Sequence, residues 1–137
     1  MMFSHITLGI ADLARARAFY APLMAQLGHR LRFDSAVDGW IGWEPAEGGR
    51  PLFIVTLPFD GRAPAPGNGA MVAFLAPDRS TVDAAYAQAL SLGASDDGAP
   101  GLRPHYHSDY YGAYLRDPDG NKLCIVCHNR PEALKGL

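Results

Sequence analysis

Alternation of apolar and polar positions opens the chain. From Phe3 to Ile10, Ile6, Leu8 and Ile10 fall on one face of a strand, and Phe3, His5, Thr7 and Gly9 fall on the other. The period then becomes helical: Leu13, Ala16, Tyr20, Leu23 and Leu27 share a face behind Asp12, a good N-cap, and ahead of Gly28, a plausible stop. Pro22 is expected to kink or break this helix after Tyr20. Three strand candidates follow, Arg30–Ser35, Gly39–Trp43 and Leu52–Leu57.

The same order returns further along. Ala70–Ala76 reads as a strand, and Ser80 with Asp83 resembles a capping box. Val82, Ala85, Tyr86, Ala89 and Leu90 give a helical face that Gly93 ends, and strands follow near Ala94–Leu102, Tyr110–Arg116 and Lys122–His128. His5 to Gly28 spans 23 positions and Met71 to Gly93 spans 22, so the two halves look like one repeat. Residues 60–69, rich in proline and glycine, read as a linker between residues 1–59 and 70–137 within a single domain. Asp117-Pro118-Asp119-Gly120 is a tight turn, with Pro118 pre-setting φ and Gly120 in the left-handed position. The expected fold is α+β, two βαβββ modules whose sheets form a curved half-open barrel around a concave pocket.

Composition narrows the partners. The 137 residues are 48% hydrophobic and 19% charged, which is globular, and the net charge of −2 comes without a basic stripe. Nucleic acid and membrane are therefore poor partners, and a small-molecule ligand is the better expectation. No export signal is visible and only two cysteines occur, so a cytoplasmic location is expected. Cys124-Ile125-Val126-Cys127-His128 spells the attachment pattern for c-type haem. On a strand, positions i and i+3 face opposite ways, so the two thiols cannot converge on one haem or metal. They read as small apolar strand residues.

The motifs together resemble the vicinal oxygen chelate superfamily, which includes glyoxalase I, extradiol dioxygenases, fosfomycin-resistance enzymes and bleomycin-binding proteins. The resemblance spans the chain. It is carried by His5-Ile6-Thr7-Leu8-Gly9 with Asp12-Leu13 and Ala18-Phe19-Tyr20, by Gly67-Asn68-Gly69, by Val72-Ala73-Phe74, and by Arg116-Asp117-Pro118-Asp119-Gly120-Asn121. Tyr106-His107 followed by Tyr110-Tyr111-Gly112-Ala113-Tyr114 also resembles a bacterial glyoxalase-like subgroup. The resemblance implies metal ligands, typically His or Gln, Glu, His and Glu, on the first and last strands of each module. His5 is the only position that keeps a family ligand type. Met71 stands where a His is expected and Cys124 where a Glu is expected, while Leu52–Leu57 contains no Glu, Asp or His. One imidazole is too little for a hard divalent ion, so no cofactor is expected and a divalent metal is doubtful. The resemblance also implies a homodimer.

The expected pocket residues are His5, Met71, His105, His107, Tyr110, Tyr111 and Cys124. His5 faces away from Ile6 and Leu8, and the same position suits a purely structural histidine. His105 and His107 point the same way on an extended chain and read either as ligand contacts or as a polar loop edge. Tyr110 and Tyr114 share a face and Tyr111 takes the other, so one set packs inward and one lines the pocket. Trp40 and Trp43 split in the same manner. Cys124 reads as an inert strand thiol unless a nearby positive group activates it. Arg103 and Arg116 are able to clamp an anion, with surface roles as the alternative. Three functions follow: a binding or sequestration protein without the family metal, a lyase or isomerase of glyoxalase type, or a structural or regulatory module with a vestigial pocket. The second would use a histidine metal site rebuilt around His5, His105 and His107, or metal-free acid–base catalysis by His5 and His107.

Overall fold

Both periodicities appear in the computed structural model, which describes residues 1–136. The first half folds as β1 (His5–Gly9), α1 (Leu13–Gln26), β2 (Arg30–Ser35), β3 (Trp40–Glu44) and β4 (Leu52–Thr56). The second folds as β5 (Val72–Leu75), α2 (Arg79–Ser91), β6 (Ser95–Leu102), β7 (Tyr111–Arg116) and β8 (Lys122–Cys127), followed by a short 3-10 turn at Glu132–Leu134. Each half makes its own four-stranded sheet, ordered β1-β4-β3-β2 and β5-β8-β7-β6. The fold is α+β with two βαβββ modules, and the sheets are curved without closing into a barrel. No helix among the described residues is long and apolar enough to cross a membrane.

Two local expectations are corrected. Pro22 neither breaks nor ends α1, which runs on to Gln26. Phe19, Tyr20, Leu23 and Met24 are buried on both sides of it, and that packing outweighs the backbone bond the proline removes. The N-cap of α2 is Asp78, whose carboxylate accepts from Thr81 N at 2.8 Å; Ser80 lies inside the helix and donates to the same carboxylate. Several strands also end one or two residues inside the expected bounds, as at Phe3, Ile10 and Ala70.

The helix-covered faces of the two sheets share one apolar core. Ile41 and Val55 of the first module and Leu115, Leu123 and Ile125 of the second are all fully buried within it. Phe53 and Phe74 meet edge to face at 4.9 Å across the boundary. The turn between β7 and β8 adds a polar clamp. Asp117 Oδ1 accepts from the amides of Asp119 and Asn121 at 2.9 Å each, and Gly120 takes φ +91°, which organises the turn. Asn121 Nδ2 then donates to Gly9 O at 2.9 Å, Tyr20 Oη donates to Asp117, and Arg15 and the Ala11 amide donate to Asp119. The turn therefore fixes one module against the other. Residues 60–69 carry no strand or helix and lay Pro64 beside Gly9.

Candidate functional site

Strand register gives the two modules matching positions. Two residues beyond His5 and Met71 lie Thr7 and Ala73, whose parallel partners are Ile54 and Cys124. Ile54 in turn pairs with Gly42, and Cys124 pairs with Tyr114. The family resemblance would place a metal at His5 and Met71, the latter one residue ahead of β5, and at Cys124, and the register makes Ile54 the first-module counterpart of Cys124. They supply an imidazole, a thioether, a thiol and an alkyl group. Among the described residues, no three His, Cys, Asp or Glu side chains converge as a metal site. The set does not fit a divalent ion that seeks oxygen and imidazole donors.

The matched positions also make one face open and the other filled. On the uncovered face of the first sheet, Gly42 leaves room, and the Phe33 ring occupies it so closely that a Cβ there would lie 2.3 Å from Phe33 Cζ. His5, Thr7, Ile54 and Thr56, with Phe33 and Trp40 as aromatic walls, line a cleft of about 470 Å³ that Asp38, Leu57, Pro58 and Phe59 complete. Phe33 and Trp40 meet edge to face at 6.4 Å. His5 Nδ1 lies 2.9 Å from Ser4 Oγ, to which Arg50 donates at 3.3 Å, so one nitrogen of the ring is tethered. A cleft of this size and apolar lining suits a drug-sized organic molecule.

On the second sheet, Tyr114 replaces the glycine and the face closes. Tyr110 Oη lies 2.9 Å from Tyr114 Oη and 3.6 Å from Cys124 Sγ. Cys124 is fully buried beneath them. Burial pushes its thiol up, and this exceeds the opposing effect of the tyrosine hydroxyls and of Arg103 and Lys122, so it is held as a thiol. Burial likewise holds the Tyr110 and Tyr114 phenols above their ordinary value.

An aromatic cluster continues above Tyr110. Its ring contacts Tyr106 at 4.7 Å and meets His107 and His128 edge-on at 5.6 and 5.4 Å. His105 packs on Tyr106 at 4.2 Å. His107 Nε2 and His128 Nδ1 are 2.8 Å apart, while the Asp109 amide donates to His107 Nδ1 at 3.2 Å. The amide fixes the tautomers: His107 Nδ1 accepts, so His107 Nε2–H donates to His128 Nδ1 and His128 presents Nε2–H outward. A metal-bound imidazole donates its second N–H to an acceptor, and here a donor faces that nitrogen. The pair is a hydrogen-bonded chain of two imidazoles.

The structure brings His105, His107 and Tyr110 together, with Cys124 below them. It puts His5 in the cleft of the first sheet and Met71 in a separate groove between β1 and β5, so neither meets the histidine cluster. Tyr111 turns to the helix side, donating to Asp83 at 2.7 Å beneath Arg79. Trp40 faces the cleft and Trp43 the core. Arg116 and Lys122 bracket Asp97, and Arg103 lies over the Tyr114 ring. The two thiols point to opposite sides, Cys127 into the core and Cys124 under the tyrosines. Sequence reasoning missed Phe33, Ile54, Phe59 and His128. For His128 a signal existed, since it shares parity with Cys124.

Comparison with known proteins agrees with the fold. The family model described as Glyoxalase/Bleomycin resistance protein/Dioxygenase superfamily matches residues 2–125. The chain is 33% identical to a glyoxalase/bleomycin resistance protein from Albidiferax ferrireducens T118, with a TM-score of 0.81 over 93% of this chain and 99% of that one. A lactoylglutathione lyase from Agrobacterium tumefaciens is 21% identical, with a TM-score of 0.63 over 98% and 96% of the two chains. A glyoxalase/bleomycin resistance protein/dioxygenase family enzyme from Burkholderia phytofirmans PsJN is 20% identical, with a TM-score of 0.68 over 92% and 98%. No curated protein matches significantly.

Proposed function

Because the chain belongs to the glyoxalase/bleomycin resistance protein/dioxygenase superfamily, we propose that it binds a small organic molecule in the first-sheet cleft without the divalent ion of the family's enzymes. One observation carries this reading. The four matched positions hold His5, Ile54, Met71 and Cys124, with no carboxylate among them, and the cleft beside His5 has aromatic walls. A planar ligand would lie against Phe33 and Trp40, with its polar end toward His5, Thr7 or Thr56. His105, His107 and Tyr110 would then form a separate hydrogen-bonding surface on the second sheet.

A homodimer fits the same reading. Phe59 at the cleft and Val37 beside Asp38 are almost fully exposed and Leu57 partly so, and a second copy would cover them. A cytoplasmic, membrane-free and nucleic-acid-free setting accords with the composition.

Titration of the Trp43→Phe variant, in which Trp40 alone reports by fluorescence, against small aromatic acids and amides tests the proposal. Saturable quenching that is unchanged by a chelator is expected. Quenching that appears only after a divalent ion is added would overturn it.

The His107–His128 pair supports a second reading, metal-free acid–base catalysis. His128 Nε2–H would hydrogen-bond to a substrate oxygen and polarise it, with His107 Nε2–H behind it holding that tautomer, and the proton transferred would come from solvent. Turnover of an α-keto or thiohemiacetal substrate, abolished by His107→Ala, would put this reading first.

A further inference from the structure

A second cavity lies on the other side of the first sheet. Ile6, Met24, Trp43, Phe53, Val72 and Phe74 wall an apolar slot of about 280 Å³ between the two modules. Its outer part shares His29, Pro45 and Leu75 with a wider groove of about 490 Å³. An apolar cavity of roughly 150 Å³ takes a benzene ring, so this slot has room for a fused bicyclic one.

One edge of the slot is main chain. β5 is an edge strand, bonded to β8 on one side only. Ala76 N donates to Val126 O, so by strand alternation Phe74 also bonds toward β8. Ala73 and Leu75, both on the slot wall, therefore turn their N–H and C=O the other way. β1 alternates in the same way, and a contact marks its outward side. Ile10 N donates to Thr56 O, so Gly9 must point outward, and Gly9 O does receive Asn121 from the neighbouring module. An outward strand residue offers a donor and an acceptor side by side, which a planar amide matches as a neighbouring strand would.

We infer that this slot is a second small-molecule site, taking an uncharged planar bicyclic lactam whose N–H and C=O pair with the open edge of β5 at Ala73 or Leu75. The mouth agrees with a neutral ligand. Burial lowers the pKa of His29, against a smaller opposing effect of Glu47, which favours the uncharged ring. Glu44 at the rim is neutralised by Arg30 and Arg32 at 3.0 and 3.2 Å. The site does not depend on the first-sheet cleft, because the two tryptophans separate them: Trp43 borders the slot and Trp40 borders the cleft.

Amide and indole shift mapping of the full chain with 2-quinolinone tests the inference. Saturable shifts are expected at the Ala73 and Leu75 amides and the Trp43 indole, with Thr7, Ile54 and Trp40 unmoved. N-methyl-2-quinolinone, which lacks the donor, is expected to bind on the order of tenfold more weakly, the effect of one hydrogen bond. Equal binding of the N-methyl compound, shifts confined to Thr7, Ile54 and Trp40, or no saturable shift would each overturn it.

Discussion

Tyr20 Oη donates to Asp117 Oδ2 at 2.5 Å, joining α1 of one module to the β7–β8 turn of the other, and both residues are buried. Asp117 shares that oxygen with Asn121 Nδ2 at 2.9 Å. Tyr20→Phe keeps the ring packed against Phe19 and Phe53 and removes only the hydroxyl. A hydrogen bond to a buried charged group contributes about 2 kcal/mol, so the variant should unfold in urea with stability lower by about that amount. An unchanged midpoint would mean that the Tyr20 hydroxyl adds nothing to the clamp that Asn121, Arg15 and the Ala11 amide already make.

The same phenol sets an alkaline limit. Burial, then the Asp117 charge, holds Tyr20 well above the ordinary phenol value of 10.0, and burial raises Tyr110 and Tyr114 as well. The folded chain keeps these protons after the unfolded chain has lost them. The stability they contribute is fully present below pH 10 and declines as pH rises past it. Unfolding midpoints measured from neutral to strongly alkaline pH should fall above that value, with a shallower slope for the double variant Tyr20→Phe, Tyr110→Phe. Identical slopes would contradict the assignment.

The imidazole pair has a spectroscopic signature. Long-range proton–nitrogen NMR should show His107 and His128 both as Nε2–H tautomers in their neutral forms. His107 carrying its proton on Nδ1 would oppose the Asp109 amide at 3.2 Å and would refute the direction of the hydrogen bond between them.

Gly42→Ala probes the cleft floor. The new methyl would lie 2.3 Å from Phe33 Cζ, so the ring must swing out of place. The expected cost is about 1–3 kcal/mol of stability with loss of cleft ligand binding. Gly49→Ala, where a Cβ meets nothing within 4 Å but φ is +84°, is the control for backbone strain without loss of the cleft.

The element order and the internal repeat were legible because hydrophobic period and turn chemistry are local. The Asp117-Pro118-Asp119-Gly120 turn is the best case: its glycine takes φ +91° as expected. Pro22 shows the opposite. Helix propensity alone stops α1 there, and only tertiary burial of Leu23 and Met24 carries it on. The candidate site was legible one strand at a time. Parity correctly separated Tyr110 from Tyr111 and Cys124 from Cys127. Register between strands is not local, so Ile54 went unnoticed as the counterpart of Cys124. The same holds for Gly42 and Tyr114, whose contrast leaves one face open and the other filled. His128 lay one step of parity beyond Val126 and gained meaning only when the loop from Tyr106 brought His107 to it.

Metal content per chain decides the central claim. Mass spectrometry after incubation with Ni, Zn, Mn and Fe(II), and removal of excess ion, should find near-zero occupancy for each. Stoichiometric retention of any of these ions, abolished by His5→Ala or His107→Ala, would contradict the metal-free reading.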